Sequence, residues 1–263
     1  MPIITLLSDF GTRDSYVAEV KGVILGICPN ATLVDISHEV GPQNVAEGAF
    51  LLAQAASLFP MGTVHLAVVD PGVGSERAPL AACAAGACFV GPDNGLLQPV
   101  LERAPAYSAV SLSNRIYWRV EQPSATFHGR DVFAPVAAHL ANGVPLAALG
   151  PPMALLADLP QDVRPARDGS GCRGQIIHVD RFGNLISNIP GEWLVDGRQW
   201  VATIAGRANI ALVRTYASVA PGAPLMLIGS HGYVELAVNR GSAAEVLGVT
   251  LGATLCLQPV MSK

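Results

Sequence analysis

An acid and a guanidinium stand seven residues apart in "VHLAVVDPGVGSERAPL" (64–80), where Asp70 closes an apolar run and Arg77 follows a glycine-containing turn. In a chain with so few charges, an acid and a guanidinium on either side of a stiff turn mark a candidate site. The plainer reading is a structural ion pair. Further polar clusters stand where strands should end, "SDFG" (8–11) and "GPDNG" (91–95), while "TFHGRD" (126–131) precedes a helix. Ligands of α/β sheets bind beyond the carboxyl ends of strands, and helix starts present outward N–H groups. Converging loops would bring Asp9, Asp70, Arg77, Asp93, Asn94 and His128 to one rim. Each also has a structural reading: Asp9 as a helix cap, Asp93-Asn94-Gly95 as a turn, His128 as a hydrogen-bonded core histidine. "GVGSER" imitates a dinucleotide loop, but Arg77 replaces its third glycine and no helix pattern follows. "SDFG" contains the kinase tripeptide without the segments that accompany it in kinases. His38, His65, His139 and His178 lie in poor metal-ligand spacings, and no metal site is expected.

The elements that must position these residues change character along the chain. Residues 1–150 alternate short apolar runs ("PIITLLSD", "TLVDIS", "TVHLAVVD", "CFVGPDNG") with helical patterns at 15–28, 44–59 and 130–143. In the first helix Val17, Val20, Ile24 and Ile27 share a face. This predicts an α/β domain with a central, mostly parallel sheet covered on both faces. The proline-rich stretch 151–171 is read as a linker. From residue 172 to 263 short alternating runs punctuated by Gly, Asn and Pro predict an all-β, barrel-like domain.

Composition narrows the class. The 263 residues are 51% hydrophobic and only 14% charged, enough for a substantial core, so each charge is informative. With a net charge of −4 and only Lys21 and Lys263 as lysines, no basic stripe exists to track a nucleic acid. No apolar run approaches the roughly 20 residues of a membrane span. The N-terminus lacks a basic region and Asp9 interrupts its apolar run, so it reads as a strand and not a signal peptide. Five cysteines without CxxC spacing argue against disulfides and zinc, and point to the cytoplasm.

The ordered set "LLSDFGTRDSYVAEVKGVI", "VDISHEV", "VAEGAFLL", "FPMGTVHLAVVDPGVGSER", "VGPDNGLL", "TFHGRDVFAPVAAHLANG", "VDRFGNLISNI" and "GSHGYVELAVNRGSAA" resembles the S-adenosyl-L-methionine (SAM) hydrolases. These are also called SAM hydroxide adenosyltransferases and share a fold with the fluorinases and chlorinases. The likeness runs nearly end to end. It implies an N-terminal α/β domain, a C-terminal β-barrel and a homotrimer with active sites between subunits. It also implies a reaction, SAM plus water giving adenosine and methionine, with SAM as substrate and no cofactor. The family's hydrolytic Asp, Arg and His fall on Asp70, Arg77 and His128, with the proton acceptor among them left open. Asp9 would take the ribose hydroxyls, Asp180 the methionine ammonium and Ser230 its carboxylate. Phe182 and Asn184 would meet the nucleoside, and backbone around Val238, Asn239 and Arg240 the adenine edge. The halogenating relatives have tyrosine and threonine in the Asp70–Arg77 segment and Tyr-Ser at His128-Gly129. A carboxylate repels a halide, so these differences favour water. His231 replaces an arginine of those relatives and Gln43 an aromatic. The competing readings are a non-catalytic SAM or adenosine binder, a SAM-dependent halogenase, and a metal-dependent phosphoesterase.

Overall fold

Strand β1 (Ile3–Ser8) pairs in parallel with β2 (Thr32–Ser37) on one side and β3 (Val64–Val68) on the other. With β4 (Pro79–Ala84), β5 (Ala87–Pro92) and β6 (Tyr107–Ser111) they complete a sheet in the order β2-β1-β3-β5-β4-β6. The computed structural model describes residues 1–154, 156–159 and 164–260. The four apolar runs expected as strands are β1, β2, β3 and β5, and they are mutually parallel. The alanine-rich β4, which alternation does not reveal, runs antiparallel to its neighbours β5 and β6. Helices α1 (Tyr16–Ile27) and α4 (Ala134–Ala141) cover one face, where Val20 and Ile24 pack with Ile4 and Leu6. Helices α2 (Val45–Ala55) and α3 (Gln98–Glu102) cover the other, where Leu52 and Leu101 meet Leu7 and Ala67. Leu6 and Leu7 face opposite layers because strand side chains alternate.

The chain divides into two units, Met1–Leu159 and Pro160–Lys263. Much of the stretch expected to be a linker belongs to one unit or the other. Met153 N–H donates to Ala109 O (2.9 Å) and Ala157 N–H to Asp93 Oδ1 (2.8 Å), holding these residues on the first unit. Ala166–Asp168 forms β7 in the second. Residues 155 and 160–163 of that stretch lie outside the described residues.

The second unit adds β8 (Gly171–Val179), β9 (Leu185–Pro190), β10 (Trp200–Ile204), β11 (Arg207–Ala211), β12 (Pro224–Ile228), β13 (Tyr233–Val238) and β14 (Thr254–Pro259). They are antiparallel neighbours in the order β11-β10-β14-β8-β9-β13-β12, with β7 paired to β8. The two ends meet where Leu212 bridges Met226 and Val213 N–H donates to Met226 O (2.8 Å), giving the expected barrel-like form. Its core packs around Trp200, and a short helix, α5 (Ala243–Leu247), buries Ala243 and Leu247 in it.

The expectation for the cysteines is overturned. Cys83 and Cys88 are bonded as a disulfide, while Cys28, Cys172 and Cys256 are free. The two are register partners across the β4–β5 hairpin, whose turn at Ala85 and Gly86 has φ of 50° and 82°. Two positive φ values are what a tight two-residue hairpin turn needs, and that turn sets the two cysteines opposite one another. Among the described residues no helix is long and apolar enough to cross a membrane.

Candidate active site

Because strand order reverses direction at β1, the ends of β1 and β3 flank a topological switch point, the place where α/β sheets bind ligands. Ser8 and Val68 are register partners, so Asp9 and Asp70 emerge just beyond the same sheet edge. The reversed β4 brings Arg77 there too. From the end of β3 the chain passes over the end of β5 and enters β4 from the same rim, tied down by Asp93 N–H donating to Ala78 O (3.0 Å). A crossover to a parallel strand would have carried Arg77 to the opposite edge.

Arg77 Nε donates to Asp70 Oδ1 (2.9 Å) and Arg77 Nη2 to Asp70 Oδ2, a bidentate pair with both side chains nearly buried at 9% and 6% exposure. The same Nη2 lies 2.9 Å from His128 Nδ1. A guanidinium only donates, so His128 Nδ1 accepts and Nε2 carries the ring proton. Burial holds the imidazole below its ordinary pKa and the Arg77 charge adds to this, against the opposing pull of Asp70 and Asp131. His128 is therefore neutral at pH 7, in agreement with its accepting role. Arg77 also lies over the Phe133 ring, 5.2 Å to the centroid. Its Nη1 is buried with no hydrogen-bond partner among the described residues.

The supports are local and specific. Asn94 Nδ2 donates to Val69 O (2.9 Å), clamping the backbone just before Asp70. Gly74 has φ of 79°, and a Cβ there would sit 2.6 Å from Ala125 O, so only glycine lets this turn close on the segment that carries His128. That segment runs into a π-helical turn at Gly129–Phe133, a form found often at functional sites. Asp131, at 1% exposure, anchors it by accepting from Arg119 Nε (2.6 Å), Arg130 Nε (2.7 Å) and Ser124 N–H (2.9 Å). These donors outweigh the burial that would raise its pKa and hold the carboxyl far below the usual range.

Asp9 does not cap α1, whose N-cap is Ser15; its Oδ2 accepts from Gln43 N–H (2.8 Å). Gln43 has φ of 63° and precedes Asn44, which caps α2 by accepting from Glu47 N–H (3.1 Å).

The second unit gathers the remaining expected residues. Phe182, Asn184, Val238 and Arg240 line a cavity of about 450 Å³ together with Tyr216. Phe182 is 77% exposed, an unusual position for a phenylalanine unless something covers it. Asp180 organises the loop: Oδ1 accepts from Phe182 N–H (2.8 Å) and Asn184 N–H (2.9 Å), and Oδ2 from Asn184 Nδ2 (2.9 Å). Ser230 is exposed. Asn239 N–H already donates to Ala223 O (3.1 Å) and its side chain to Val219 O (2.7 Å), so Asn239 serves the barrel before any ligand. Sequence reasoning missed Tyr216 and Glu235. A lone glutamate inside the apolar strand "YVELAV" was the available signal, because carboxylates are seldom fully buried without a purpose.

Comparison with known proteins agrees with this architecture. The N-terminal domain of the SAM hydroxide adenosyltransferases matches residues 4–150 and their C-terminal domain residues 174–256. A relative from Salinispora tropica, named (R)-S-adenosyl-L-methionine hydrolase, is 43% identical and the match covers 97% of each chain. A fluorinase from an Actinoplanes species is 32% identical over 97% of this chain and 96% of its own. The crystal structure of a conserved protein from Thermotoga maritima superposes with a TM-score of 0.89 at 35% identity, covering 97% of this chain and 99% of that one. With both domain signatures in order and the acid, guanidinium and imidazole joined at the rim, the chain belongs to the SAM hydroxide adenosyltransferase family.

Proposed function

We propose that the chain hydrolyses SAM to adenosine and L-methionine through attack of water at C5′, with Asp70, Arg77 and His128 handling the water. The observation that carries this reading is the single guanidinium joining a nearly buried carboxylate to a neutral imidazole. In the reaction the C5′–S bond breaks with its electron pair going to sulfur. The leaving group is then a neutral thioether that needs no acid. What remains is to hold a water in line and take its proton. Arg77 cannot accept that proton, and His128 Nδ1 is engaged by Arg77. Asp70 is the acceptor left, since each of its oxygens keeps a second lone pair beside the bond from Arg77. His128 Nε2–H and the buried Arg77 Nη1 are donors suited to the water oxygen and to the hydroxide that develops. Asp9 takes the ribose hydroxyls, Ser230 and Asp180 the methionine end, and the Phe182–Asn184–Val238–Arg240 cavity the base.

Candidate polar residues fall in both units, which supports a homotrimer in which different subunits complete each site. The cytoplasmic reading rests on an absence of disulfides, and the Cys83–Cys88 bond weighs against it. Asp70 disfavours the halogenase reading, because a buried carboxylate would repel a halide at the position where it must attack. No cofactor is required, so a chelator leaves turnover unchanged; loss of activity with chelator would favour a metal-dependent phosphoesterase. The deciding test is incubation of purified protein with SAM, following adenosine by chromatography. Adenosine must form above the protein-free control and fall by about 10²–10⁴ in Asp70→Asn, the usual reach of a general base. Binding without adenosine formation would leave a SAM binder.

A further inference from the structure

The second unit holds a buried carboxylate that the reaction above does not use. Glu235 lies in β13 at 4% exposure, and its Oε1 accepts from the Tyr216 hydroxyl at 2.8 Å. Its Oε2 lies 3.1 Å from His231 Nε2. His231 Nδ1 accepts from Tyr233 N–H (3.1 Å), so Nε2 bears the proton and donates to Glu235. The ring that stands where the halogenating relatives have an arginine thus directs its Nε2–H inward to Glu235. A carboxylate in this apolar strand costs stability unless both oxygens are satisfied, and a leucine would fill the space as well. Its presence calls for a role beyond packing.

Tyr216 supplies that role. It sits in a single 3-10 turn, Tyr216–Ser218, is 44% exposed, and lines the cavity together with Phe182, Asn184, Val238 and Arg240. A half-exposed ring on so short a turn has rotamers to lose when a ligand arrives. Burial, with Glu235 next, pushes its phenol up to about 12, so the hydroxyl stays a donor throughout the working pH range.

We propose that Glu235 is a positioning residue for the base pocket: through the Tyr216 hydroxyl it fixes the tyrosine ring as a wall of the cavity that Phe182 also lines. This rests on the reading that the cavity takes the adenosine part of SAM. Because the base is remote from C5′, the ring contributes equally to ground and transition states. Its loss therefore raises KM and leaves kcat.

Four variants test this: Glu235→Leu, Glu235→Gln, Tyr216→Phe and the Leu/Phe double variant. The readouts are kcat and KM for SAM and the Kd of adenosine by titration calorimetry. Tyr216→Phe and Glu235→Leu should each raise KM and Kd by about 5–20-fold with kcat within about threefold, and the double variant should be no worse than the poorer single one. Glu235→Gln, which can accept from His231 and donate to the tyrosine oxygen, should recover most of the affinity. Unchanged KM and Kd in folded Glu235→Leu, multiplicative effects in the double variant, or a loss confined to kcat would each overturn the proposal. Should Glu235→Leu fail to fold, Tyr216→Phe alone decides, since it removes only a hydroxyl. If the wild-type chain binds adenosine but forms none from SAM, the hydrolase reading fails while the Kd series still tests Glu235. If it does not bind adenosine, both readings fall.

Discussion

Replacing Arg77 with lysine keeps the positive charge and removes the fork. Arg77 makes three side-chain hydrogen bonds, two to Asp70 and one to His128. A lysine ammonium, shorter and without a planar fork, keeps at most one of them. Bonds to charged partners are worth about 1.5–3 kcal/mol each, and these share one donor group, so the loss is about 2–4 kcal/mol of stability. At exposures of 9% and 6% little water can compensate. For a protein of this size that corresponds to about 5–15 °C in Tm by calorimetry. The kinetic effect is larger: with Asp70 free to turn and the His128 tautomer no longer fixed, kcat should fall about 10²–10³-fold in the adenosine assay. A companion variant, Arg77→Met, removes the charge that helps hold His128 low. The imidazole then rises toward its ordinary pKa, and the acidic limb of the rate profile moves to higher pH. If Arg77→Lys lowers Tm as stated but keeps kcat within about threefold, the trio is a structural ion pair and the catalytic assignment is wrong.

Other outcomes follow from single features. Asp9→Ala should weaken adenosine binding by about tenfold in calorimetry, the effect of losing one charged hydrogen-bond acceptor; an unaltered Kd would remove Asp9 from the ribose. Gly74→Ala forces a Cβ against Ala125 O in a left-handed backbone, and should reduce kcat while the fold survives by circular dichroism. Burial pushes His65, fully enclosed in β3 beside Thr5, down to about 4. The unfolded chain therefore binds this proton first, and unfolding free energy should drop by about 3 kcal/mol as pH falls from about 6.5 to about 4. His65→Leu should flatten that slope in urea titrations. Thiol titration of the denatured, unreduced protein should count three cysteines if Cys83–Cys88 is bonded and five if it is not.

What the sequence exposed depended on how local each signal was. The parallel strands announce themselves as apolar runs ending in polar loops, and Asp70 and Arg77 lie close enough for one turn to unite them. His128 is marked only by its place before a helix; its contact with Arg77, 51 residues away, arises from the fold. β4 was hidden because alanine has weak strand preference, and with it the reversal that explains how Arg77 reaches the rim. The Tyr216–Glu235 bond depends on barrel pairing between β12 and β13, which no periodicity specifies. The disulfide went unseen because Cys83 sits in the hidden β4, so its pairing with Cys88 of β5 could not be read.

The reversed β4 bears on how the chain can be cut. The acid and the guanidinium belong to one short connection on the rim, whereas the β4–β5 turn lies at the far edge of the sheet, with Cys83 and Cys88 bonded beneath it. New termini opened between Ala85 and Gly86 would remain tethered by that bond and leave the reacting end undisturbed. A chain nicked at 85/86 should accordingly keep the rim's chemistry, while one nicked between 71 and 76 should lose it.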